Sequence, residues 1–200
     1  MPLFPVFLKL QGRRCIVVGA GGIAEGKIES LLHAGATIQV VAPAATERVQ
    51  SWAREKKIRW QHRKFRSADL AGAFVVIAAT SSSTLHAKIY KQARRRGVLC
   101  NSVDDPDNCD FYYGAVVRRG ELQIAISTAG HSPALAQRLR EKLEKDFGIE
   151  YEHWVTTLGA ARKRLFAKSI SPARRKALLH DLASEMAFEK FLHSRRASKK

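Results

Sequence analysis

The stretch IVVGAGGIAEGK, Ile16 to Lys27, holds the residues of this chain whose types and spacing most directly suggest chemistry. Gly19, Gly21 and Ala24 follow G-x-G-x-x-[GA]. Between a strand and a helix, that spacing turns backbone N–H groups and the positive end of a helix dipole toward a pyrophosphate. Gly19 allows the tight turn, Gly21 lets the backbone approach the phosphates, and the small Ala24 lets helix and sheet pack closely. The carboxylate that usually reads the ribose, about 20 residues on, is missing. The next strand-like run instead ends Val40-Val41-Ala42-Pro43. Two readings stay open: backbone groups around Pro43 and Ala44 hold the ribose hydroxyls, or the cofactor carries a 2′-phosphate met by a base such as Arg48.

Carboxylates gather in NSVDDPDN, directly after a second apolar run. Ligands of open α/β sheets collect at the carboxyl ends of strands, so Asp104 is placed to act as a general base there. The same stretch has the composition of a simple turn, with Pro106 and Asn108 as turn formers. The seven histidines show no metal-ligand spacing, so no resident metal site is expected. The three cysteines, Cys15, Cys100 and Cys109, contain no C-x-x-C and imply neither a disulfide framework nor a zinc knuckle. Cys15 and Cys100 lie in strand-like runs and read as core.

The elements that must position these residues alternate along the chain. RCIVVG, ATIQVVAP, IRWQHR, FVVIAAT and VLCNSV read as strands, and IAEGKIESLLHAG, TERVQSWAREKK and STLHAKIYKQARRRG read as the helices between them. That order specifies an α/β fold with a doubly wound parallel sheet. After Asp110 the rhythm changes: YYGAVVRRGELQIAIST reads as an antiparallel hairpin turning at Arg119-Gly120. The remainder is helical, beginning with Ser132 as N-cap and Pro133 at the first helical position, and broken near Ser171-Pro172. Trp154 and Phe166 read as core residues, and SRRASKK as a frayed tail. The expected division is 1–113, 114–148 and 149–200.

Composition narrows the partners. With 35 Lys and Arg against 18 Asp and Glu, the net charge is +17, carried by both halves of the chain, which implies a field that attracts anions. Aromatic residues make up only 8%, and no nucleic-acid motif is present, which argues against a nucleic-acid partner. No apolar run spans a membrane, and PLFPVFLKL lacks the basic flank of a signal peptide, so a cytoplasmic protein is expected.

Taken in order, LFPVFLKLQGRRCIVVGAGGIAEGK, VVAP, VIAAT, CNSVDDP and LQIAISTAGHSPALAQRLREKLE resemble the precorrin-2 dehydrogenases of sirohaem synthesis, including the N-terminal part of multifunctional sirohaem synthases. The resemblance covers most of residues 3–145 and thins after Gly148. It implies a Rossmann-like NAD-binding domain, a dimerisation region formed by the hairpin and the following helix, and a helical C-terminal domain. It also implies oxidation of precorrin-2 to sirohydrochlorin with NAD. In some members ferrous iron is then inserted to give sirohaem. Carried over residue by residue, the cofactor loop is Gly19, Gly21, Gly22, Ile23 and Ala24, with Pro43 and Ala44 at the adenosine end and Thr80 beside the cofactor. Asp104 matches the family's catalytic aspartate. Thr128, which replaces a frequent serine, falls in the same segment as His131 and Ser132; these three and Arg138 are the candidate substrate contacts. Ser81, Ser82 and Ser83 stand where many members carry acidic residues, leaving the choice of NAD over NADP open. No methyltransferase segment is expected. The acidic tetrapyrrole would account for the positive charge, and the hairpin's edge strands suggest a homodimer. Two other classes compete with this reading: an NAD-sensing regulatory module without catalysis, and a basic nucleic-acid-binding protein.

Overall fold

The computed structural model describes residues 3–197, and the chain divides between Tyr112 and Tyr113 into two compact units. The first unit alternates strand and helix: β1 (Arg14–Val18), α1 (Gly22–His33), β2 (Thr37–Val41), α2 (Glu47–Arg54), β3 (Arg59–Gln61), β4 (Val75–Ala78), α3 (Ser83–Arg94) and β5 (Leu99–Ser102). Short 3₁₀ turns at Ser67–Leu70 and Pro106–Asn108 complete it. All strand pairings are parallel, in the order β3-β2-β1-β4-β5. The chain thus winds outward from β1 through β2 to β3, then crosses back to lay β4 on the other side of β1. That reversal opens a crevice at the carboxyl ends of β1 and β4, where such sheets take ligands.

Both faces of the sheet are covered, which is why its central strands read as unbroken apolar runs rather than alternating ones. Successive side chains still point to opposite faces. On one face, Cys15, Val17, Val40, Val75 and Ile77 pack with Ala24, Ile28 and Leu31 of α1 and with Val49 and Trp52 of α2. On the other, Ile16, Val18, Val41, Val76 and Ala78 meet Leu70 and, from α3, Ile89 and Ala93. Cys15 and Cys100 are fully buried, as their runs imply, and burial pushes their thiols up to about 11 and about 12. Thr46 and Ser82 cap α2 and α3 by accepting the N–H groups of Val49 and Leu85. Gly21 opens α1 with no side-chain cap.

In the second unit, β6 (Ala115–Arg119) and β7 (Leu122–Ile126) form the antiparallel hairpin, turning at Gly120 in the left-handed region (φ 56°). Helices α4 (Pro133–Asp146), α5 (Glu150–Phe166), α6 (Pro172–Leu182) and α7 (Glu185–Ala197) follow. Ser132 caps α4 with Pro133 next to it, as the spacing predicts, and at the expected break Ser171 caps α6 in the same way with Pro172. Helices α4 and α5 pack on the hairpin. Trp154 of α5 is buried against Phe188 and Phe191 of α7, with ring centroids 5.6 and 4.9 Å away.

Two expectations for this unit need correction. Phe166 is not core: it is 53% exposed, with the guanidinium groups of Arg162 and Arg175 at 4.7 and 4.6 Å from its ring, so cation–π contact replaces burial. The expected tail is helical as far as Ala197, while residues 198–200 lie outside the described residues. Among the described residues, no helix is long and apolar enough to cross a membrane.

One polar anchor fastens the loop between β3 and β4 to itself. Asp69, 6% exposed, accepts two bonds from Arg63 (2.9 and 2.6 Å) and one from the Arg66 N–H (2.8 Å). Arg63, followed by the Arg66 amide, holds the Asp69 carboxyl below the ordinary carboxylate range against the opposing effect of burial. A depressed folded value stabilises the fold above the unfolded value, and that stability disappears as pH falls through the folded value. Asp69→Asn should therefore lower Tm most at neutral pH. In thermal melts across pH, its gap from the wild type should close below about pH 4.

Candidate functional site

At the sheet reversal lies a cleft of about 940 Å³, lined from three directions. The loop after β1 and the first turn of α1 contribute Gly21, Gly22 and Ile23; the end of β4 and the start of α3 contribute Ala79, Thr80, Ser81, Ser83 and His86; the loop after β5 contributes Val103, Asp104, Asp105 and Asn108. Among these lie Gly21 and Asp104, singled out from the sequence, and Gly22, Ile23 and Thr80, named through the family resemblance.

The glycines differ in what demands them. Gly19 has φ 106°, and a Cβ there would stand 2.1 Å from the Ala79 carbonyl oxygen, so both conformation and the approach of β4 exclude a side chain. A Cβ at Gly21 or Gly22 would meet nothing within 4 Å, because it would project into open space. The backbone N–H groups of the first turn of α1 are thus approachable, and Gly21 supplies no side chain to occupy them. Ala24 is fully buried under the sheet, whereas Ile23, on the same turn, is 60% exposed and lines the cleft. An uncapped helix start with open space before it and an apolar side chain beside it fits a dinucleotide: the amides would face a pyrophosphate, and Ile23 would offer apolar surface.

The loop after β2 is held to the glycine loop by the Thr46 N–H donating to Ala20 O (3.1 Å). Pro43 and Ala44 are exposed on that loop and do not line the cleft. Arg48 is ion-paired with Glu29 and lies 4.9 Å over Trp52, so a 2′-phosphate would have to compete with Glu29 for it. Of the three serines after Thr80, Ser81 and Ser83 line the cleft and Ser82 is the α3 cap.

Asp104 is exposed and has φ 58°, an uncommon conformation for a residue with a side chain. The loop that carries it is densely bonded. The Cys109 sulfur lies 3.1 Å from Ser102 O and 3.3 Å from Asp105 O and accepts the Ser102 N–H at 3.2 Å. Asn101 donates to Phe111 O (2.8 Å), and Asp110 accepts the Cys100 N–H (2.9 Å). Burial raises the Cys109 thiol above its ordinary value, so it serves as a protonated hydrogen-bonding group, not a thiolate nucleophile. Burial lowers the Lys27 ammonium from its ordinary value, while the negative charge of Asp104 acts in the opposite direction.

Motif reading missed four of these groups: Lys27, His86, Asp105 and Cys109. One signal was available for His86. It shares the buried face of α3 with Ile89 and Ala93, a polar residue among apolar ones at helical spacing. In the second unit, Thr128 accepts the Ser132 N–H (3.1 Å), its carbonyl accepts the His131 N–H (2.9 Å), and Ser132 caps α4. One turn thus brings Thr128, His131 and Ser132 together, with Arg138 exposed further along α4.

Residues 6–115 match a family model for NAD(P)-binding, and residues 119–146 match a model for the central part of a sirohaem biosynthesis protein. Siroheme synthase of Nitrosococcus oceani is 40% identical over 144 residues, covering 72% of this chain and 31% of that protein. Siroheme synthase 2 of Yersinia enterocolitica is 37% identical over 195 residues, covering 94% and 41%. The chain therefore spans well under half the length of these curated relatives. A solved structure of SirC, precorrin-2 dehydrogenase, superposes with a TM-score of 0.78 at 28% identity, covering 96% of this chain and 98% of that one.

The two kinds of glycine can be separated experimentally. Gly19→Ala should destabilise the protein by about 1–3 kcal/mol, since strain and the Ala79 carbonyl oppose the new methyl. Gly21→Ala should cost no more than a cap exchange, within about 1 kcal/mol, yet weaken dinucleotide binding about tenfold. Thermal melts paired with calorimetric titration of NAD check both.

Proposed function

This chain belongs to the NAD(P)-binding family whose model spans residues 6–115, and we propose that it oxidises precorrin-2 to sirohydrochlorin with NAD. The observation that carries this reading is the likeness to SirC, precorrin-2 dehydrogenase, over nearly the whole of both chains. The division at 113 and 148 into NAD-binding, dimerisation and helical parts belongs to the same proposal.

The first turn of α1, with Gly21 and Gly22, holds the pyrophosphate. Gly19 and Ala24 shape that turn, and Ile23 and Thr80 lie along the cofactor. Backbone at Pro43 and Ala44 serves the adenosine end. The bound dinucleotide supplies the hydride acceptor. The substrate loses a hydride and a proton, and Asp104, across the cleft from the glycine loop, takes the proton as general base. Its left-handed backbone and the bonded loop around it limit how far the carboxylate moves, which is how fixed geometry lowers a barrier. Thr128, His131, Ser132 and Arg138 contact the tetrapyrrole, whose many carboxylates are drawn by the +17 charge.

Three further elements belong to this reading. The same Asp104 takes pyrrole protons when ferrous iron enters sirohydrochlorin as a second substrate. Two copies associate through the hairpin, whose two strands leave unpaired edges. The protein works in the cytoplasm, where its free thiols stay reduced.

Anaerobic incubation with precorrin-2 and NAD should produce NADH and the sirohydrochlorin spectrum together; no turnover sinks the proposal. Asp104→Ala should lower kcat by about a hundredfold or more while NAD affinity stays within about twofold. Full activity in that variant removes the aspartate from catalysis. Adding ferrous or cobaltous ion to sirohydrochlorin with the enzyme should shift the spectrum, and an unchanged spectrum restricts the chain to oxidation. Light scattering should give the mass of two chains.

A further inference from the structure

His86 is 4% exposed, and neither glycine loop nor catalytic aspartate requires a histidine at that place. Its two ring nitrogens reach toward opposite walls of the cleft. The Thr80 N–H at the end of β4 donates to Nε2 (3.4 Å), so Nε2 is unprotonated and the ring proton sits on Nδ1. Nδ1 lies 3.6 Å from Asp105 Oδ2, in the loop after β5. That separation is longer than a formed hydrogen bond, and contacts of this kind shorten when a site closes on its ligands. Asp105 is held from its other side, where Asn108 donates to the same Oδ2 (2.9 Å), and its N–H donates to Ser102 O (3.3 Å). Asp104, with φ 58°, immediately precedes it, so the position of Asp105 sets the direction of the neighbouring carboxylate.

We propose that His86 is a positioning residue: its neutral ring links the Thr80 N–H to Asp105 and thereby fixes Asp104 relative to the cofactor-facing end of β4. The catalytic part of this inference rests on the function proposed above. The role is geometric, because His86 reaches the reaction through Asp105 and its main-chain neighbour. A buried ring accepting from one strand end and donating to the next loop joins two walls that the sheet leaves joined only by backbone.

The test compares His86→Leu, which fills the space with no polar atom, with His86→Gln, whose amide keeps one acceptor and one donor. His86→Leu should lower kcat roughly ten- to hundredfold, as a small misplacement of a base does, with KM for NAD changed by less than about threefold. His86→Gln should recover most of that loss. Asp105→Asn should show a similar loss, and combining it with His86→Leu should add little, since both break one link. Amide hydrogen exchange on the ligand-free protein gives an independent readout. It should quicken at residues 80–82 and 103–108 in His86→Leu and stay at the wild-type rate in His86→Gln. Wild-type kcat in His86→Leu, additive losses in the double variant, or exchange unaltered at either segment would each overturn the proposal. If the wild-type chain oxidises no precorrin-2, the functional reading fails on its own, while hydrogen exchange still decides whether His86 holds the two loops.

Discussion

The contact on which the first unit depends is the approach of Gly19 to the Ala79 carbonyl, where β1 and β4 end side by side. A parallel sheet that winds in one direction and then reverses must bring two strand ends together with no connecting segment between them. Here that meeting point is close enough that a single methyl group would collide with the main chain. The outcome is directional. The loop after β1 is pressed back, the first turn of α1 is presented with its amides forward, and the ends of β4 and β5 form the facing walls. Every residue lining the cleft is delivered by one of these strand ends or by the helix that starts just beyond one.

Much of this was legible because it rests on local rules. Buried parallel strands carry unbroken apolar runs, and RCIVV and VVIA cannot be mistaken once their faces are both covered. The serine and threonine caps follow from the need of helix N-termini for acceptors, so Ser132 marked its helix in advance, and Ser171, read only as part of a break, caps the next one. What escaped depends on contacts between segments far apart in the chain. Phe166 is apolar and helical, but nothing local says that two arginines, one of them on the next helix, would cover its ring. His86 was missed because its partners, Thr80 and Asp105, belong to different strand ends.

The electrostatics separate by range. The excess of positive charge acts at a distance: it raises the local concentration of an anionic partner, and its reach is limited to about 8 Å by salt at physiological strength. Within the cleft the balance is different. The loop after β5 places Asp104, Asp105 and Asp107 close together, and the partly buried Lys27 is the cation that feels Asp104. Under the proposed function, a polycarboxylate attracted by the surface would meet acidic side chains at the centre of the site. Such an arrangement would suit removal of a proton, with positive charge gathering the substrate by its periphery and carboxylates placed to accept the proton.

This division explains why the loop after β5 is so heavily bonded. Three neighbouring carboxylates repel one another and would spread if the backbone were free. The Cys109 sulfur, the side chains of Asn101 and Asp110, and the Asn108–Asp105 bond each spend a hydrogen-bonding group on holding that loop. Two of these groups bind backbone within the strand itself, so the loop's position is inherited from β5 and, through β4, from the Gly19 contact. The left-handed backbone of Asp104 is the local cost of that inheritance. A residue kept in a conformation it would not choose, by bonds that lead back to the sheet, has its backbone set by the fold before any ligand arrives.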